Sequence, residues 1–169
     1  MSIPDSGLSN SLTHRAVARF AVTPLGTRFV RGLGARIDPT LIRLSGGRCS
    51  CVWPFPALLL THVGAKSGIA RTSALVYFTE QGRVVLIASN FGSSRNPAWY
   101  YNVKENPVVE LFGRGIRGQF VAEEIYGEER DRIFGLAKAA PGPYAKYEEV
   151  AGAKARSIPV MTFTPKPLS

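Results

Sequence analysis

The chain has 169 residues, 45% of them hydrophobic, and a formal net charge of +9. This is one domain's length of chain with enough apolar residues for a packed core, which excludes general disorder. No apolar run reaches the roughly 20 residues of a membrane-spanning helix, because the longest candidate, Val52 to Val63, is broken by Pro54 and Pro56.

The first ten residues hold no basic start followed by an apolar stretch, so a cytoplasmic setting is expected. An N-terminal arm, Met1 to Pro56, precedes a body from Ala57 to Ser169. Ala16, Val17, Phe20 and Ala21 recur at helical spacing, followed by Phe29, Val30 and Leu33, then Leu41, Ile42 and Leu44. Thr23-Pro24 and Asp38-Pro39 are expected to separate these into short amphipathic helices. Residues 1–48 hold seven arginines against Asp5 and Asp38. Packing on the body is the ordinary fate of such helices, and peripheral contact with anionic lipid is the alternative. Cys49 and Cys51, one residue apart, and only two histidines, His14 and His62, do not suggest a metal site.

The body reads as short strands. Ala57 to Thr61 is one, Arg71 to Phe78 a second after the turn at Gly64 to Gly68, and Val84 to Ser89 a third after a hairpin turn at Glu80-Gln81-Gly82. A helix is expected over Ala98 to Glu105, with Asn96 as its cap and Pro97 in its first turn. Val108 to Phe112 and Ile116 to Ala122 form a hairpin, and Glu123-Glu124 opens a helix running to Ala139. A short helix over Pro143 to Val150 and a last strand over Ile158 to Thr164 complete the chain. About six short strands with intervening helices predict an α+β fold, mainly β, built on a closed or split β-barrel.

Two segments carry candidate chemistry. In Gly64-Ala65-Lys66-Ser67-Gly68-Ile69-Ala70-Arg71 a glycine turn presents Lys66 as a mobile charge and Arg71 as a planar fork, which suits phosphate or carboxylate. The glycine spacing matches neither a Walker loop nor a Rossmann fingerprint. In Ala88-Ser89-Asn90-Phe91-Gly92 through Asn96-Pro97-Ala98-Trp99-Tyr100-Tyr101-Asn102, a strand ends in small polar residues able to meet the carbonyls of a flat ring. The arginines sit on the arm, not interleaved with exposed aromatics on a sheet, so nucleic-acid binding is not expected.

Together, G-x-K-S-G-x-x-R, a strand and hairpin, A-S-N, and N-P-A-W-Y-x-N in this order resemble the deazaflavin-dependent nitroreductase family over Leu58 to Thr164. That family consists of split β-barrel, FMN-binding-like oxidoreductases. The resemblance implies reduced coenzyme F-420, an 8-hydroxy-5-deazaflavin with a phosphate and acidic tail. It places Lys66 and Arg71 on the acidic groups, with Ser67 and Gly68 as further donors. Ser89 and Asn90 fall at the ring, Trp99 at the ring edge or tail, and Asn102 behind it as support. The chain departs from the family pattern at Ala74, where members often carry Pro, and at Phe91, which is expected to narrow the pocket. Tyr144 and Tyr147 match a tyrosine cluster on the substrate wall, but an expected earlier tyrosine is Pro141.

The implied reaction is hydride transfer from the reduced cofactor to a small electron-poor acceptor such as a quinone, enone or nitro compound. Ser89, Tyr144 and Tyr147 are the candidate catalytic residues. FMN is the rival cofactor, and a non-catalytic deazaflavin, flavin or lipid binder of the same fold is the rival function. A monomer and a homodimer both fit.

Overall fold

The computed structural model describes residues 3–6, 11–21, 23–140 and 142–167. Its centre is a seven-stranded antiparallel sheet formed by β1 (Ala57–Val63), β2 (Ala70–Val76), β3 (Phe78–Glu80), β4 (Arg83–Ile87), β5 (Val108–Gly113), β6 (Ile116–Ile125) and β7 (Val160–Pro165). The spatial order is β2-β1-β5-β6-β7-β4-β3. The two outermost strands, β2 and β3, are consecutive in sequence and joined by Tyr77 alone. One residue cannot span a flat sheet of this width, so the sheet must curl until its edges meet. The result is the expected split β-barrel of an α+β fold.

Strand β4 is buried on both faces, and its alternation shows how. Val84 and Leu86 of β4 enter the barrel core with Leu58, Leu60, Leu111, Phe120 and Phe163. Val85 and Ile87 point the other way, into a second core under Ile133, Phe134 and Tyr147. Helix α4 (Ala98–Glu105) closes the barrel with Trp99, Tyr100 and Val103, while α5 (Gly127–Ala139) and α6 (Tyr144–Gly152) cover the second core. A third, smaller core joins Ile42 of the arm to Ala57 and Leu59.

The arm is helical: α1 (Leu12–Ala21), α2 (Pro24–Phe29), a π turn (Val30–Gly34) and α3 (Ala35–Ser45). Thr23 caps α2 by accepting the Gly26 N–H, with Pro24 in the first turn, so this expected boundary is where the sequence puts it. Asp38-Pro39 is not a boundary, because Pro39 lies inside α3. The π turn just upstream, where the Ala35 N–H reaches back to the Val30 carbonyl, widens the backbone ahead of the proline ring.

Three other expectations need correction. The strand expected over Arg71 to Phe78 is two strands, divided at Tyr77, whose N–H returns to Pro56. Asn96 does not cap α4. Pro97 holds the cap position, and the Asn96 side chain accepts from Arg156 Nε at 2.7 Å. Glu123 and Glu124 do not open a helix, because β6 continues through them to Ile125, paired with β7. The acidic first turn of α5 is Glu128-Glu129. Glu124 is committed elsewhere: its Oε2 accepts from Tyr100, Lys104 and Tyr126 at 2.9, 2.7 and 2.6 Å.

Candidate active site

The barrel is open on one side because β3 is short. It pairs with Arg83 to Val85 and leaves Leu86 and Ile87 without a partner on that side. Facing them across the gap is the free edge of β2, which pairs with β1 alone. At the two ends of β2, the Ile69 carbonyl accepts from Gly64 and the Tyr77 N–H donates to Pro56. Odd-numbered residues therefore turn their backbone groups toward β1. Thr72, Ala74 and Val76 turn theirs to the open edge.

That gap is a cavity of about 420 Å³. Thr72 to Val76 form one wall, and Leu86, Ile87, Ser89, Asn90 and Phe91 the opposite one. Pro97 and Trp99 of α4 and Tyr144 and Tyr147 of α6 contribute further walls, and Val17, Ala21, Val30 and Ala35 of the arm form a roof. An apolar slot bordered by free backbone donors and acceptors suits a flat heteroaromatic ring.

The loop after β4 is held in an unusual shape. Asn90, Phe91 and Gly92 have φ of 45°, 55° and 71° in succession, a left-handed run that costs a non-glycine residue about 1 kcal/mol or more. Cations fasten its carbonyls. Arg156 donates to Ala88, Ser89 and Ser93, Lys154 to Gly92, and Arg31 to Asn90. The Arg31 guanidinium also lies 4.5 Å from the Phe91 ring centre, tying the roof to the wall. Phe91 lines the cavity, and its ring meets Tyr147 edge-on at 5.7 Å.

The basic turn sits beyond the cavity. Lys66, Ser67, Gly68 and Arg71 are all exposed, and none of them lines the slot. Arg71 nevertheless directly precedes Thr72, where the β2 wall begins. Gly64 is what lets the turn close. A Cβ there would lie 2.5 Å from Ser67 Oγ and 3.5 Å from Arg71 Nε, so hydroxyl and guanidinium converge over bare backbone. Asn102 holds the backbone of this turn: its Oδ1 accepts from the Ala65 N–H at 2.9 Å.

Tyr144 and Tyr147 stack edge-on at 6.4 Å in the cavity wall. Burial raises both phenol pKa values, that of Tyr147 to about 12 against a lowering influence from Arg31, so both are neutral donors at physiological pH. The structure thus gathers Ser89, Asn90, Trp99, Tyr144 and Tyr147 at one cavity, with Lys66, Ser67, Gly68, Arg71 and Asn102 outside it. Pro141 lies outside the described residues. Sequence reasoning did not single out His62, Ser73, Arg31 or Arg156. The first two sit on strands, His62 after Thr61 and Ser73 after Thr72, in no motif that marks them. The two arginines are separated from the loop they hold by about 60 positions of chain, and only the fold brings them to it.

A protein-family model described as F420H(2)-dependent quinone reductase matches residues 35–165. The chain is 31% identical over 133 residues, 76% of its length, to an F420H(2)-dependent quinone reductase of Mycobacterium tuberculosis, of which the match covers 88%. A solved F420-H2-dependent reductase is 37% identical with a TM-score of 0.57, covering 64% of this chain and 94% of that one. A second solved chain, described as a domain-swapped dimer, is 34% identical with a TM-score of 0.58, covering 82% of this chain and 98% of that one.

Proposed function

The chain belongs to the F420H(2)-dependent quinone reductase family, and on that premise we propose that it binds reduced coenzyme F-420 in the β2–β4 slot and reduces a quinone there. The observation that carries this reading is the slot itself. One wall is the unpaired backbone of Thr72, Ala74 and Val76, and that wall runs into a cationic turn one residue further on. A flat ring with alternating carbonyl and N–H groups fits the first, and a phosphorylated acidic tail fits the second.

When bound, the cofactor supplies a hydride from its central ring carbon. The chain supplies alignment, exclusion of water and hydrogen-bond donors. Lys66 and Arg71 hold the acidic tail, with Ser67 and the Gly68 amide as further donors. Ser89 and Asn90 face the ring, Trp99 closes its edge, and Asn102 fixes the turn. Adding a hydride to a quinone places negative charge on one oxygen, and a proton completes the hydroquinone. In this reading the neutral phenols of Tyr147 and Tyr144, which line the cavity, donate to that oxygen, with Ser89 as a further donor. Planar enones and nitro compounds meet the same steric and electronic demands and form a second acceptor class.

The arm extends this reading to where the acceptor comes from. Leu12, Leu25, Leu33 and Leu44 are 81%, 71%, 53% and 84% exposed. Residues 11–48 carry seven arginines against one carboxylate, Asp38, which is buried. Exposed leucines among arginines suit an anionic lipid surface, in which an apolar quinone dissolves. Among the described residues no helix is long and apolar enough to cross a membrane.

The test is fluorescence titration with reduced and oxidised cofactor beside FMN, followed by an acceptor panel. Micromolar cofactor binding, weakened at least about tenfold in Lys66→Ala and Arg71→Ala, is expected. Tighter binding of FMN would overturn the cofactor assignment, and binding without turnover of any acceptor would favour a carrier or storage role. A homodimer is the oligomeric state to test first, given the dimeric description of one solved relative.

A further inference from the structure

A chain of side-chain hydrogen bonds runs from the basic turn to the cavity wall, and its polarity is fixed at one end. The Ala65 N–H donates to Asn102 Oδ1 at 2.9 Å, so the Asn102 amide NH2 is the group facing His62 Nδ1, 3.1 Å away. An amide NH2 only donates, so His62 Nδ1 must be bare. His62 is 4% exposed, and burial, helped by the neighbouring Arg71 charge, lowers its pKa, so the ring is neutral. A neutral ring with a bare Nδ1 carries its proton on Nε2. That proton points at Ser73 Oγ, 3.2 Å away. Ser73 therefore accepts from His62, and its own hydroxyl proton is left to donate elsewhere. Ser73 lines the cavity.

We propose that Asn102 and His62 are positioning residues that commit the Ser73 hydroxyl to donate a hydrogen bond to a carbonyl oxygen of the planar molecule in the slot. The proposal rests on the cofactor reading above for the identity of that molecule, although the bond chain itself belongs to the unliganded protein. It also links two parts of the site. The Ala65 amide that sets the polarity lies next to Lys66, so an anion seated on the turn and a ring seated in the slot act on one connected set of bonds. No proton is transferred along this chain: His62 orients, and Ser73 donates.

Two measurements test it. The first needs no ligand. Nitrogen-15 NMR of the imidazole in the unliganded protein should show His62 protonated on Nε2 and bare on Nδ1. A proton on Nδ1 overturns the relay, whatever the protein binds. The second uses oxidised coenzyme F-420 and a soluble quinone as probes. Ser73→Ala and His62→Leu should each weaken one of the two by about five- to tenfold, the worth of one hydrogen bond. The double variant should be no worse than either single one. His62→Gln, whose amide NH2 can replace the Nε2 donor, should recover affinity to within about twofold. Weaker cofactor binding assigns the hydroxyl to the cofactor, and a raised KM for quinone with unchanged cofactor affinity assigns it to the acceptor. Effects that simply add, or no recovery in a folded His62→Gln protein, overturn the proposal. If the wild-type protein ignores the cofactor altogether, the proposed function fails while the NMR result still decides the relay.

Discussion

Arg156 offers the sharpest test of how this site is held. Its guanidinium donates to the carbonyls of Ala88, Ser89 and Ser93 and to Asn96 Oδ1. These bonds span the loop in which Asn90 and Phe91 take positive φ. Charge-assisted bonds of this kind contribute about 1.5–3 kcal/mol each, but water entering the space left by truncation recovers much of that. A net loss of about 3 kcal/mol for Arg156→Ala is therefore expected, worth roughly 6–12 °C in Tm for a domain of this length. Freed of its clamp, the loop should relax toward negative φ, carrying Ser89, Asn90 and Phe91 out of register with β2. Cofactor affinity should then fall at least about tenfold even at temperatures where the variant is fully folded. Arg156→Lys keeps the charge but not the fork, so it should recover stability more than binding. Calorimetry and fluorescence titration of the three proteins measure both quantities. A variant with Tm within about 2 °C of wild type and unchanged binding would show that the loop needs no clamp.

Other outcomes follow from individual contacts. Phe91→Ala removes the ring between Arg31 and Tyr147, so bulkier quinones should gain in kcat/KM relative to small ones. Tyr147→Phe should lower kcat by about tenfold with little change in cofactor affinity, as expected for loss of a donor used at the transition state. Gly92→Ala adds a Cβ 2.9 Å from that of Val150 at φ of 71°, and a loss of roughly 2–4 kcal/mol should appear as a lower Tm. Burial raises the Glu124 pKa, but the bonds from Lys104, Tyr126 and Tyr100 outweigh it and the net shift is downward. Its stabilisation is therefore present above the ordinary carboxylate range and lost as pH falls through the lowered folded value. Glu124→Gln should accordingly melt below wild type at pH 7 and converge with it in acid.

The sequence made the repetitive parts of this structure legible and left the reciprocal ones hidden. Turns at Gly64 to Gly68 and at Glu80 to Gly82 announced themselves because glycine there meets a conformational demand, and Gly68 and Gly82 do take φ of 65° and 71°. Ser89, Trp99, Tyr144 and Tyr147 were legible through a family pattern and line one cavity. Periodicity could not reveal that Tyr77 divides a strand, because Ala74 to Phe78 is one continuous apolar run with nothing to mark a break at Tyr77. Nor could composition show that Glu124 belongs to a strand. An acidic pair before a helix has the same local appearance whether it serves the helix dipole or, as here, accepts from Tyr100 and Lys104 of α4 and from Tyr126 just past β6. Arg31, His62 and Arg156 act on partners distant in sequence, and such pairings exist only once the barrel has closed.

Tyr77 shows why the concealed features are also the functional ones. Had Arg71 to Phe78 been a single strand, its end would have stayed paired with β1 and nothing would have returned the chain to the far edge of the sheet. Instead, Tyr77 is fully buried, its N–H held by Pro56 and its hydroxyl 3.1 Å from Ser6 Oγ, while Phe78 starts a strand at the opposite edge. That strand pairs with only three residues of β4. A longer β3 would have continued along Leu86 and Ile87 and occupied the space now open to β2. The cavity is in this sense the place of a strand that stops early, and its backbone donors and acceptors are those such a strand would have satisfied. A flat ring with carbonyls and an N–H along one edge is the natural substitute. Lengthening β3 by design, with the turn at Gln81-Gly82 preserved, should therefore stabilise the barrel and abolish ring binding together. A lengthened variant that still bound the cofactor at full affinity would place the ring outside the slot.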